Sequence, residues 1–285
     1  MRNKILFLFM ILCVGLKAQD NTNSIEPVEF IYKIIGADSL KAYVFFPAEK
    51  LNDEKHASIA IFHGGGWVMG EPSWGFRHAK KYVNMGLVSM AVQYRLSDEK
   101  NITPIEAIED TRDFFIWTRE NAKDLKINNN EIAAFGWSAG AHLIASAAVF
   151  PRYGSDSTIT SIPNALILQS PALSVVNDGW FEKLLLNKGN PIDYSPAEHI
   201  QGEMPPTIII VGRDDTVTPL GESELFHEKM LKYGNESYLH IYDGVGHLFT
   251  PSDQPDNGWP NPDKEVSEKA FYKVDLFLKN HNYIK

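Results

Sequence analysis

The chain has 285 residues, with 27 Lys and Arg against 36 Asp and Glu, a formal net charge of −9, and a single cysteine, Cys13. This acidic balance argues against nucleic acid and anionic polymers as partners, and one thiol rules out a disulfide framework and a thiolate metal site. The apolar content is ordinary and the length suffices for one α/β domain with a substantial core.

Residues 5–16 are almost entirely apolar, preceded by Arg2 and Lys4 and followed by Lys17. About 12 apolar residues fall short of the roughly 20 needed to cross a bilayer, and the pattern reads as a secretory signal peptide cleaved after Ala18. The expected organisation is therefore a signal peptide at 1–18 and one domain at 19–285, exported to the periplasm or beyond, with no stable membrane insertion once the leader is removed. Its loss takes away three positive charges and the cysteine, leaving 24 minus 36, or −12.

In chain order, residues 28–35 and 41–46 are β-rich runs, expected to form a hairpin around Gly36-Ala37-Asp38-Ser39. Residues 58–62 suit a buried strand, and His63-Gly64-Gly65-Gly66-Trp67 follows at once. Three glycines just past a buried strand let backbone N–H groups point outward, as an oxyanion hole requires, which makes Gly65 and Gly66 candidate donors. No Lys-Ser/Thr pair follows, so a nucleotide-binding P-loop is disfavoured. His63 reads as a structural residue of this loop.

Residues 86–94 form another strand pattern leading to Arg95-Leu96, and residues 104–125 a crossover helix with Pro104 near its start. Asp110 and Arg112 on that helix read as structurally paired or solvated charges. A short buried strand at 131–135 and an Ala-rich helix at 139–149 enclose Gly136-Trp137-Ser138-Ala139-Gly140. A serine between strand and helix sits on a sharp, strained turn with its hydroxyl above the sheet edge. The positive end of the helix then faces it, and the Ala139 N–H becomes a further oxyanion donor.

Residues 165–170 are a strand, whereas 171–201 lack a clean period and suit either a short lid or a plain surface loop. A β-branched strand at 207–212 runs into Asp214 and Asp215; a helix at 221–233 and a strand at 238–242 lead to Asp243-Gly244-Val245-Gly246-His247, and an amphipathic helix at 266–278 ends the pattern. The alternation predicts a parallel sheet covered by helices. Ser138, the acidic pair and His247 each follow a strand, and in a parallel sheet those ends converge on one edge. A hydroxyl becomes a nucleophile at neutral pH through a base, and the base is oriented by a carboxylate.

These motifs, together with Tyr94-Arg95-Leu96, the extension Ala141-His142-Leu143 and Gly212-Arg213-Asp214-Asp215-Thr216-Val217-Thr218-Pro219, resemble the α/β-hydrolase fold, in particular carboxylesterases of the hormone-sensitive-lipase-like and BD-FAE-like groups, over residues 59–278. The resemblance implies a mostly parallel twisted sheet with helices on both faces and a short lid. It implies a Ser138-His247-Asp215 triad, Asp215 being favoured over the adjacent Asp214 by its spacing from the strand-ending glycine. An oxyanion hole of Gly65, Gly66 and Ala139 is also implied, with no metal and no organic cofactor. Trp67 and Trp137 are candidate pocket residues, and Trp74, Trp180 and Trp259 further candidates to line the site or stack on sugar. The implied reaction is hydrolysis of small-molecule or carbohydrate esters, such as acetyl or feruloyl groups on plant polysaccharide. Alternatives are an arylformamidase-like amide hydrolase, a serine peptidase and a catalytically silent binding protein.

Overall fold

The computed structural model describes residues 25–48, 55–156, 158–255 and 258–285, so the expected signal peptide lies outside the described residues. The strands are β1 (Val28–Ile35), β2 (Asp38–Phe45), β3 (His56–Phe62), β4 (Val88–Val92), β5 (Ile127–Trp137), β6 (Ala165–Gln169), β7 (Thr207–Gly212) and β8 (Ser237–Tyr242). Between and after them lie α1 (Phe76–Val83), α2 (Pro104–Glu120), α3 (Ala139–Val149), α4 (Gly179–Leu184), α5 (Leu220–Lys232) and α6 (Lys264–Asn280). The strands make one sheet in the order β1-β2-β4-β3-β5-β6-β7-β8. From β4 to β8 every pairing is parallel, while β1 and β2 add an antiparallel edge. This is the expected α/β-hydrolase architecture.

Burial explains the strand patterns. All five residues of β4 and β6 and all six of β7 are buried, as continuous apolar runs between two helical layers demand. One layer holds α2, α3 and α5, with Phe114, Phe115, Leu143, Ile144 and Phe226 in its core; the other holds α1 and α6, with Tyr82, Val83, Val274 and Leu278. Each fully buried Leu, Ile or Phe contributes about 1.5–3 kcal/mol relative to exposure.

Four features depart from the sequence-based elements. The β1–β2 turn is two residues long, because Ile35 pairs with Asp38 and Gly36 takes φ +61° at the first turn position, where glycine fits without a Cβ penalty. Helix α1 occupies a segment the sequence reading leaves unassigned. Parallel neighbours β3 and β4 require such a crossover, and Ala79, Tyr82 and Val83 supply its buried side. Strand β5 begins at Ile127, four residues early, in a stretch whose asparagines hide the apolar pattern. Segment 171–201 is not a plain loop: it contains α4 and two 3₁₀ turns and buries Phe181, Leu185 and Ala197 in the core.

Helix α2 starts where its capping residues dictate. The Thr103 hydroxyl accepts the Ile105 N–H, the Glu106 carboxylate accepts the Thr103 N–H at 2.7 Å, and Pro104 fills the first helical position. Asp110 is fully buried and structural. It accepts from Arg95 Nε at 2.8 Å and Nη2 at 2.7 Å, and from Lys33 Nζ at 2.6 Å, which ties α2 to the end of β4 and to β1.

The central strand meets its helix at unusually close range. A Cβ on Gly140 would lie 2.2 Å from the Phe62 carbonyl oxygen, and one on Gly136 would lie 2.6 Å from Gly140 backbone. Gly140→Ala is expected to destabilise the fold by about 2–3 kcal/mol or more, since rigid backbone rather than a flexible side chain must yield. Urea unfolding of the variant beside the parent chain measures it, and an unchanged midpoint contradicts the packing argument.

Candidate active site

Ser138 stands between β5 and α3 with φ 53° and ψ −122°, a conformation that L-residues rarely adopt. Its backbone is fully engaged: the N–H donates to Gln169 O at 3.0 Å, and its carbonyl accepts from Ala141 and His142 at 3.1 and 3.2 Å. The hydroxyl projects from the carboxyl end of the sheet. There His247, after β8, places Nε2 3.1 Å from Ser138 Oγ.

The opposite ring nitrogen of His247, Nδ1, lies 3.1 and 3.0 Å from the two carboxylate oxygens of Asp215, after β7. The Nδ1–H donates to that carboxylate, leaving Nε2 as acceptor for the serine hydroxyl. Asp215 is itself held by the Val217 and Thr218 N–H groups, at 3.0 and 2.8 Å from Oδ1. Thr218 Oγ1 lies 3.0 Å from both Asp215 Oδ2 and the Ser170 carbonyl oxygen. Ser170 Oγ in turn accepts the Leu248 N–H at 3.0 Å, fixing the residue after His247. Asp214 points elsewhere, accepting from Ser252 Oγ at 2.6 Å. Of the acidic pair, Asp215 is the one brought to the histidine.

The glycine loop after β3 lies across the same edge. Gly65 and Gly66 have φ of +116° and +57°, and a Cβ on Gly65 would lie 2.1 Å from the Met69 carbonyl oxygen. Each carbonyl in the loop is anchored. His63 Nδ1–H donates to Gly64 O at 2.7 Å, the Val68 and Met69 N–H groups donate to Gly65 O at 3.1 Å, and Trp180 Nε1–H donates to Gly66 O at 3.1 Å. The Ala139 N–H opens α3, so the helix itself leaves it unused.

Two buried histidines hold this framework. His63 also stacks on Tyr94, whose hydroxyl donates to the His63 carbonyl at 2.8 Å. His142 accepts from Trp67 Nε1–H at 3.3 Å and donates Nε2–H to Tyr194 O at 2.8 Å, joining the glycine loop to the segment before β7. Burial lowers the pKa of both to about 4, so they remain neutral scaffold groups at ordinary pH. The structural reading of His63 agrees with this geometry.

Around Ser138 lies a cleft of about 580 Å³ lined by Trp67, Trp74, Trp137, Trp180 and Trp259, with Met69, Asp178, Val217 and Leu248. Trp67 and Trp137 both line it; Trp67 is 3% exposed, with its indole turned inward onto His142 and the Phe181 ring at 5.0 Å. Helix α4 roofs the cleft with Trp180 and Asp178. Sequence reasoning missed Asp178, Thr218 and Ser170 as site neighbours; Thr218 alone carried a signal, three residues past Asp215. Among the described residues, no group of three or more His, Cys, Asp or Glu side chains is gathered as a metal site requires.

An α/β-hydrolase fold profile matches residues 59–251. The chain belongs to the α/β-hydrolase family, in its hormone-sensitive-lipase-like and BD-FAE-like branch. Within that family it is a carboxylesterase-type serine hydrolase. It is 23% identical to an arylesterase of Saccharolobus solfataricus over 73% of this chain and 72% of that protein. It is 26% identical to an acetylxylan esterase of Xylanibacter ruminicola over 70% of this chain, spanning 42% of that longer protein. Among solved structures, esterase 2 of Thermogutta terrifontis phosphoramylated by tabun superposes with a TM-score of 0.79 at 30% identity, covering 91% of this chain and 96% of that one. The butyrate-bound form of the same esterase gives a TM-score of 0.79 at 29% identity, covering 91% and 95%. Among the described residues, no helix is long and apolar enough to cross a membrane.

On α5, Glu222 accepts the Ser174 N–H at 3.5 Å. Burial pushes its carboxyl up to about 8; the Asp178 and Asp215 charges add to this, while the backbone N–H groups of Ser174 and Leu173 oppose it. Between the ordinary value of 4.5 and about 8, the folded state therefore holds a proton that the unfolded chain has released, and stability falls as pH rises through that window. Glu222→Gln, which cannot ionise, should flatten the decline by several degrees of Tm, roughly, between about pH 5 and about pH 8. Thermal unfolding of both proteins across that range measures it; parallel curves contradict the assignment.

Proposed function

We propose that the protein hydrolyses carboxylic esters through Ser138, His247 and Asp215, by way of an acyl-enzyme. The observation that carries this reading is the continuous hydrogen-bonded line from Asp215 through both ring nitrogens of His247 to Ser138 Oγ, with separations of 3.0–3.1 Å. Ser138 Oγ attacks the acyl carbonyl carbon while His247 Nε2 takes its proton. The backbone N–H groups of Gly65, Gly66 and Ala139 donate to the oxyanion. Collapse breaks the bond to the alcohol, which leaves with the proton from His247. Water, losing a proton to the same nitrogen, then attacks the acyl-serine and releases the acid.

Short-chain esters are the substrate class best supported, with O-acetyl groups on carbohydrate the leading natural case. The butyrate-bound neighbour and the acetylxylan esterase relative support this reading. We also propose that residues 1–18 are removed on export; mass spectrometry of the exported protein should find Gln19 at its N-terminus.

Ser138→Ala should lower turnover of short p-nitrophenyl esters by about 10³-fold or more without shifting thermal unfolding. Asp215→Asn should lose far more activity than Asp214→Asn. Since a solved neighbour is phosphorylated by paraoxon, that reagent should inactivate the parent chain and leave its adduct on the peptide containing Ser138. Full activity in the Ser138 variant, the reverse order of the two aspartates, or an adduct elsewhere counts against the assignment.

A further inference from the structure

Trp259 is 77% exposed, and Trp74 provides its one ring contact among the described residues, edge to face at 5.7 Å and 73°. An indole left this open does little for the fold, yet it stands on the rim of the cleft that contains Ser138. Trp74 is better fixed, lying in a 3₁₀ turn with its ring 5.8 Å from His63. The two indoles form a corner with one firm wall and one free wall. The same cleft is lined by Trp180 of α4, which is half-exposed and held to Gly66 O.

The charge on this cleft is one-sided. Apart from His247, Asp178 is the one ionisable side chain among the described lining residues, and no Lys or Arg is among them. Lys183, on the same helix, sits 5.6 Å from the Trp180 ring centroid, outside the lining. An anionic ring would therefore meet a carboxylate and no cation among the described lining residues, whereas a neutral ring can lay its flat face on the indoles.

We propose that the Trp74–Trp259 corner is a subsite for an uncharged six-membered ring, aryl or pyranose, carried by the ester, and that Asp178 discriminates against anionic rings. This rests on the esterase reading above. It assigns selectivity to three residues outside the triad and the oxyanion loop.

The test compares kcat/KM on ethyl acetate, phenyl acetate, a fully acetylated methyl xyloside and para-acetoxybenzoate. Trp259→Ala should lower kcat/KM on at least one neutral ring ester by about three- to tenfold while ethyl acetate stays within about twofold and Tm is unchanged. A loss confined to phenyl acetate identifies an aryl subsite, and one confined to the xyloside a sugar subsite; either supports the proposal. Equal losses on ethyl acetate, or none on either ring ester, overturn it. Asp178→Asn keeps a good N-cap for α4 and should raise the para-acetoxybenzoate to phenyl acetate ratio by about threefold or more. An unchanged ratio overturns the charge assignment. A parent enzyme inert on ethyl acetate as well overturns the esterase reading and the subsite with it; activity there with no ring preference overturns the subsite alone.

Discussion

The backbone of Ser138 is the constraint on which the rest of the site depends. A non-glycine residue in this region of φ/ψ space costs about 1–3 kcal/mol and persists where its surroundings over-determine it. Here the surroundings are backbone on every side. The Ser138 N–H is committed to β6 and its carbonyl to the first turn of α3, while Gly136 lets α3 press against β5 and Gly140 lets it press against β3, at distances that no Cβ permits. Because β5 pairs with β3 and β6 in parallel register, with Gly136 opposite Phe62 and Leu168, a shift at the turn would have to move three strands.

The glycine loop is set by the same logic with different partners. In a trans peptide the N–H of one residue points opposite to the carbonyl of the residue before it, so anchoring a carbonyl also aims the next N–H. His63 fixes the Gly64 carbonyl and thereby the Gly65 N–H, while the tight turn to Val68 and Met69 fixes the Gly65 carbonyl and the Gly66 N–H. Trp180 secures the plane that follows. If these N–H groups serve the proposed oxyanion hole, donors fixed in this way need no reorganisation as negative charge develops, which is where such sites gain most of their effect. The roof helix is thus part of the loop's geometry as well as a wall of the cleft.

The legible features were those that depend on residue type at fixed spacing. Strand β7 and helix α3 fall at the expected bounds because an unbroken apolar run and an alanine run leave little choice of period. Ser138, His247 and the acidic pair were visible because a parallel sheet sends strand ends to one edge. Spacing from the strand-ending glycine favours Asp215 over Asp214, and the turn gives the physical reason: the Asp215 carboxylate accepts two N–H groups from its own loop and lies towards His247, while Asp214 faces Ser252. The inward turn of Trp67 onto His142 and Phe181 is a tertiary fact with no local trace in the sequence. Helix α4 was hidden for a similar reason. It is six residues long, and its stability comes from the Asp178 cap and the burial of Phe181 rather than from any period.

Two histidines beside the serine illustrate how burial separates scaffold from chemistry. His63 and His142 both have pKa values lowered to about 4 by desolvation; His63 Nδ1 holds the Gly64 carbonyl, while His142 binds Trp67 through Nδ1 and the Tyr194 carbonyl through Nε2. Protonating His142 would turn its acceptor nitrogen into a donor and break the bond from Trp67, so its low pKa keeps the loop intact well into the acid range. His247 differs in where its second nitrogen points. With Nδ1 held by Asp215, its Nε2 faces Ser138 Oγ rather than a backbone carbonyl. On the proposed ester-hydrolysis reading, a hydroxyl that can pass its proton on is the partner for which that ring nitrogen does chemistry instead of holding the chain in place.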